Sequence, residues 1–200
     1  MNTKITLLLA ASFIAIVAVF GVALILVHNG IVDADKRVEE AKAQIGAVCQ
    51  RRLDLMPNLI ETVKAYAAHE KSVLTSVTEA RTHAQNTLDR LARDGYTPET
   101  MKALETSQAQ VTSSIRGIFA LVENYPDLKA SSNFLALQDQ FEGTENRISV
   151  ARQRFNSAVR IYNSKIEKFP GVLIAPIFGY QEAEYFEAKE DAYEPVQAKF

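Results

Sequence analysis

Hydrophobic positions along this chain change rhythm once, near residue 28. From Ile5 to Val27 the sequence reads ITLLLAASFIAIVAVFGVALILV, 23 residues without a charge. Beyond Gly30, apolar residues return every three or four positions, the spacing of one helix face. Val38, Ala41, Ile45 and Val48 begin a first stripe, and Leu59, Val63, Tyr66, Val73 and Val77 begin a second that runs to Leu91. Met101, Leu104, Val111, Ile115, Ile118 and Val122 form a third. A fourth runs from Phe134 through Phe141, Ile148, Phe155 and Tyr162 to Phe169. No stretch alternates at period two for long enough to require a sheet.

The breaks between stripes carry turn chemistry. In RDGYTPET, Gly95 suits a helix C-terminus, Thr97 an N-cap and Pro98 the first helical position, with Glu99 near the positive end of the next helix. ENYPDLKASSN is the next break, with Ser or Asn of residues 130–133 as a cap, and FPG ends the fourth helix. The first break, LDLMPNL, reads as a helix–helix junction. Pro57 lacks an N–H and suits a helix start, and Asp54 is placed to cap the entry. Lengths leave a second arrangement open: residues 57–92 would extend ~54 Å and residues 31–53 only ~35 Å, so Pro57 could instead kink one long rod. The predicted fold is all-α: an N-terminal transmembrane helix followed by an antiparallel up-and-down four-helix bundle. It divides into a tail and transmembrane helix (residues 1–30), the bundle (31–170) and an irregular C-terminal segment (171–200).

The uncharged run is long enough to cross a bilayer, since 23 helical residues at ~1.5 Å each exceed a ~30 Å hydrocarbon core. A cleaved signal peptide would have a shorter apolar region of ~7–15 residues and a small-residue cleavage site, which LILVHNG does not supply. The expectation is a single-pass membrane protein, which the family resemblance described below places in the bacterial cytoplasmic membrane. Lys36, Arg37 and Lys42 after the span outweigh Lys4 before it, which leans towards a cytoplasmic domain, with the periplasmic or extracellular side as the alternative. Ala11, Ala15 and Ala18 lie along one face of the span with Gly21 close by, a small-residue pattern that suits helix association in lipid. The expected partners are therefore the bilayer, copies of the same chain and other membrane proteins.

Composition changes this picture only by exclusion. A formal net charge of −2 over 200 residues gives no basic surplus for nucleic acid. The single Cys49 cannot form an intramolecular disulfide. His69 and His83 are 14 helical residues, or ~21 Å, apart and cannot share a metal. No Gly-rich phosphate loop and no Gly-flanked nucleophilic serine occurs, so neither a metal nor a cofactor is expected.

One constellation looks chemical: Arg51, Arg52, Asp54, Pro57, Asn58 and Glu70 within QRRLDLMPNLIETVKAYAAHE. Counting by sevens places Arg52 on the face of Val38 and Ile45, and Glu70 on the face of Val63 and Val77. Buried charges need partners, and Glu145, Arg147 and Arg152 on the fourth helix are available besides each other. Two function classes follow. The first is a membrane-anchored structural or interaction module without catalytic residues. The second is an enzyme or enzyme subunit with a polar site around Arg51, Arg52, Asp54 and Glu70. A last feature is FPGVLIAPIFGY, too short and too broken to span. It either caps the bottom of the bundle or brings Ile174, Ile177 and Phe178 to the membrane surface.

QRRLDLMPNLIETVKAYAAHE, VTEAR at 77–81, ENYPDLKASSNFLALQDQFEGTENRISVARQRFNSAVRIYN at 123–163, FPGVLIA at 169–175 and YFEA at 185–188 together resemble the LemA family. The resemblance extends from the anchor to the C-terminus. Met56 stands where the family usually has Ile, and APIFGY at 175–180 departs from a common Ala-Gly-containing version. The resemblance implies a bacterial single-pass membrane protein with a helical-bundle domain, and it assigns no catalytic residues.

Overall fold

The computed structural model describes residues 3–186, and all regular structure among them is helical. The helices are α1 (Thr3–Lys64), α2 (Lys71–Asp94), α3 (Pro98–Val122), the short α4 (Pro126–Lys129), α5 (Ser132–Glu167) and α6 (Gly171–Phe178). The described residues group into two compact units. One comprises residues 3–40 and 155–185, the other residues 41–154 and 186.

Helix α1 decides between the two arrangements left open at Pro57. It passes through residue 30 unbroken, and it also passes through the expected junction, with Pro57 inside the helix. A helical proline leaves the carbonyl four residues earlier without its donor. Here that carbonyl belongs to Leu53, and the guanidinium of Arg81 on α2 supplies the missing bond, Nε to O at 3.3 Å. Asp54 consequently caps nothing: it accepts from Gln50 Nε2 at 2.8 Å on the exposed face. The chain turns instead at residues 65–70, where the Tyr66 and Ala67 amides both bond to the Val63 carbonyl. No glycine or proline marks that turn.

The break RDGYTPET forms as its sequence predicts, while ENYPDLKASSN also holds the short helix α4. Thr97 caps α3 by accepting from the Thr100 amide while the Thr100 hydroxyl accepts from the Thr97 amide, and Pro98 occupies the first turn. Gly95 ends α2 with φ 78°, a backbone region that favours glycine.

In the unit of residues 41–154, buried side chains come from five helices: Ile45, Leu53 and Leu59 of α1, Val77 and Ala84 of α2, Val111 and Ile118 of α3, Leu128 of α4, Phe134 and Phe141 of α5. Phe119 and Phe134 meet edge to face at 5.9 Å. In the other unit the core joins Ile31, Ala34 and Val38 of α1 to Phe155, Val159, Tyr162 and Ile166 of α5 and Ile174 of α6. The extended residues after α6 are pinned there by α5. Asn163 donates to the Ala183 carbonyl and accepts from the Ala183 amide, both at 2.9 Å, so its amide imitates a paired backbone. The Tyr162 hydroxyl donates to the Gln181 carbonyl at 2.9 Å. The expected irregular segment is thus helical over Gly171–Phe178, while residues 187–200, including the end of YFEA, lie outside the described residues.

Candidate functional site

Arg52 is the chemical centre of the opening motif. It lies on the buried face of α1 with Ile45, Leu53 and Met56, and its side chain is 4% exposed. Its Nη2 donates to Glu145 Oε2 on α5 at 2.9 Å and to Thr112 Oγ1 on α3 at 3.0 Å. Burial pushes the guanidinium below its ordinary value, and Glu145 opposes that shift. The pair is lopsided, because the Glu145 side chain remains 54% exposed. Cys49, one turn earlier on α1, is buried beside this cluster. Burial raises its thiol to about 11 despite the opposing charges of Arg152 and Arg52. Such a thiol stays protonated at neutral pH and is a poor nucleophile.

The structure does not bring the rest of the motif to Arg52. Arg51, Asp54, Pro57 and Asn58 are exposed on α1. Glu70 has a different partner: it accepts from the Tyr125 hydroxyl at 2.9 Å, a bond that raises the tyrosine above its ordinary value. Arg52 and Glu70 therefore answer to separate neighbours.

Sequence reasoning missed Thr112, Tyr125 and Gln108. Gln108 is buried, and neither its amide nitrogen nor its oxygen has a hydrogen-bond partner; Arg52 Nε and Arg152 Nε share that condition. The signal was present, since Gln108 interrupts the apolar run Leu104, Val111, Ile115 on the inward face of α3. Gln85 was also missed; it exchanges hydrogen bonds of 3.1 and 3.2 Å with Gln50 and so ties α1 to α2. A shallow groove of about 580 Å³ between α2 and α3 is lined by Ser72, Ser76, Glu79, His83, Ser113 and Gly117. The buried hydroxyls of Ser107 and Ser114 are bonded to carbonyls of their own helix. Among the described residues, no three His, Cys, Asp or Glu side chains converge as a metal site.

A second surface lies in the unit of residues 3–40 and 155–185. Side chains from Leu7 to Leu26 are exposed around the whole of α1, including Leu8, Phe13, Ile16, Val19 and Phe20. Ala11, Ala15 and Ala18 are exposed among them, and a Cβ added at Gly21 would meet nothing within 4 Å. At the end of this run His28 stacks on Phe178 at 4.3 Å and approaches the Tyr180 hydroxyl through Nδ1 at 3.5 Å. Lys165 Nζ donates to the Gly30 carbonyl at 2.6 Å. Helix α6 divides the three residues expected at the membrane surface. Ile174 is 2% exposed and belongs to the core, while Ile177 is 77% exposed and Phe178 more than half exposed.

These features define an all-helical protein with one N-terminal helix long and apolar enough to cross a membrane. Residues 41–200 match the LemA family, and the chain belongs to that family. It is similar to magnetosome protein MamQ 1 of Paramagnetospirillum magneticum, at 25% identity over 94% of this chain and 75% of the relative. Magnetosome protein MamQ of Magnetospirillum gryphiswaldense is 24% identical over 96% of this chain and 76% of its own length. Protein LemA of Metamycoplasma hominis is 25% identical over 89% of this chain and 77% of its own.

Proposed function

We propose that this protein is a single-pass component of the bacterial cytoplasmic membrane. Its helical domain acts as a structural or interaction module that assembles with copies of itself or with other membrane proteins. The observation that carries this reading is the course of α1. Its apolar side chains are exposed on every side from Leu7 to Leu26, and then Ile31, Ala34 and Val38 are buried without an intervening loop. A helix apolar all round needs lipid or protein around it, and one that enters a packed core directly serves as an anchor rather than a leader. In this reading α1, α2, α3 and α5 pack as an up-and-down bundle, and the domain faces the cytoplasm. The dispersal of Arg51, Arg52, Asp54 and Glu70 favours a structural role for the motif over an enzymatic one.

Association is assigned to the small-residue face of the span, where close backbone approach is possible. The test is extraction and size analysis of the full-length protein. It should resist removal from membranes by alkaline carbonate. In mild detergent, Ala11→Leu with Ala15→Leu should shift it to a smaller species. Release by carbonate would overturn the anchor, and an unchanged size would remove this face from the assembly.

A further inference from the structure

Helix α6 has the sequence GVLIAPIF, without a charge or a hydrogen-bonding side chain. One of its faces is accounted for: Gly171, Ile174 and Ala175 are buried in the core beside α5. Gly171 is required there, since an added Cβ would lie 1.8 Å from the Lys165 carbonyl oxygen. The opposite face is also apolar. Leu173 and Ile177, one turn apart, are 60% and 77% exposed, and Phe169 just before the helix is 79% exposed. A short helix that is apolar on both faces has only half of its surface explained by its own fold.

The level of this exposed face along α1 is fixed by contact. Phe178 and Tyr180 hold His28, the first polar residue after the uncharged run, and Lys165 holds the carbonyl of Gly30. The exposed face is therefore continuous with the point where α1 leaves its apolar stretch. Where such a stretch ends in a membrane, the headgroup region begins. Tyrosine, with an apolar ring and a polar tip, favours that zone.

We infer that α6 is an interfacial helix, whose Phe169, Leu173 and Ile177 enter the headgroup–acyl boundary of the leaflet from which α1 emerges. The occupant of the exposed face is lipid, and the protein is held by a crossing helix and a surface-lying one. This rests on α1 crossing the bilayer.

The experiment uses the full chain in vesicles of phosphatidylcholine and phosphatidylglycerol. In a Cys49→Ala background, Ile177→Cys or Val19→Cys carries an environment-sensitive dye. Both positions are exposed, so neither label disturbs packing. Nitroxide quenchers are placed on the lipids at shallow or deep positions. The expected result is blue-shifted emission at both sites, with roughly a halving at residue 177 by shallow quenchers and at residue 19 by deep ones. Quenching at residue 19 but not at 177 would overturn the interfacial helix and leave the anchor standing. A blue-shifted dye at 177 indifferent to lipid quenchers would mean that a protein surface, such as a second copy, covers α6, and would overturn it equally. Failure at both sites would overturn the anchor and this inference together.

Discussion

At the scale of single residues, the Arg52–Glu145 pair shows why the exposure of each partner sets the result of removing the other. Glu145 is half exposed, so without Arg52 its carboxylate stays hydrated; Arg52 is buried, so without Glu145 its charge loses its counter-ion. Glu145→Ala is predicted to destabilise by about 2–3 kcal/mol, and the volume-matched Arg52→Met by less than about 1.5 kcal/mol. Thermal unfolding of the full-length protein in mild detergent, followed by circular dichroism, would show the order; equal losses would refute the asymmetry. Cys49 gives a pH signature. Its folded thiol is raised from 9.0 to about 11, so the native state holds this proton more tightly than the unfolded chain does. The resulting stabilisation, on the order of 2 kcal/mol, is complete below the unfolded value and is lost as pH rises towards the folded one. Between pH 9 and 11 the melting temperature should therefore fall more steeply in wild type than in Cys49→Ala. Parallel slopes would exclude the thiol as the cause. The burial of Arg52 was legible from heptad spacing with Val38 and Ile45. Its partner was not, because Glu70 and Glu145 were both available and only the register between helices selects Glu145.

At the scale of elements, α1 is the instructive case. A proline flanked by Asp54 and Asn58 has every local attribute of a helix start, yet the helix continues because Arg81 satisfies the Leu53 carbonyl. Local chemistry decides a boundary only where no tertiary donor intervenes. Conversely, residues 65–70 turn without glycine or proline, so the sequence offers no signal there; the turn is held by backbone bonds and by Tyr125 on Glu70. The pairing of Arg81 with Leu53 predicts an interaction between distant substitutions. Arg81→Ala should cost about 1–3 kcal/mol by orphaning that carbonyl. In a Pro57→Ala background the same change should cost much less, because the new amide at residue 57 can donate to Leu53 itself. A double-mutant cycle on melting curves measures this, and strict additivity would sink the explanation. At the Thr97–Thr100 break the cap Thr97 and Pro98 were legible because they are adjacent in sequence, while the reciprocal Thr100 hydroxyl was missed.

At the scale of the whole molecule, the quoted motifs meet in pairs. QRRLD reaches GTENR through Arg52 and Glu145 and VTEAR through Leu53 and Arg81, and AHE reaches ENYP through Glu70 and Tyr125. The motifs thus read as the fastenings of a helical fold. The all-helical class was legible from periodicity, and the apolar N-terminal helix from the length of its uncharged run. Topology gives a further prediction. Lys36, Arg37 and Lys42 follow the span closely, so a green fluorescent protein fused after Phe200 should fluoresce and an alkaline phosphatase fused there should be inactive. The reverse pattern would place the domain outside. The absence of any loop between the apolar run and the buried Ile31 has a mechanical consequence. A run of 23 residues is ~34 Å long, so in the proposed anchoring a ~30 Å hydrocarbon core is crossed with some tilt. Without a hinge, the lean carries into residues 31–40 and the parts of α5 and α6 packed on them. Shorter-chain lipids should then tilt this unit further, measurable by infrared dichroism on oriented bilayers. A tilt that ignored chain length would show that something else absorbs the mismatch. In the proposed anchoring, the thickness of the bilayer becomes, through one unbroken helix, a quantity that this protein converts into an angle.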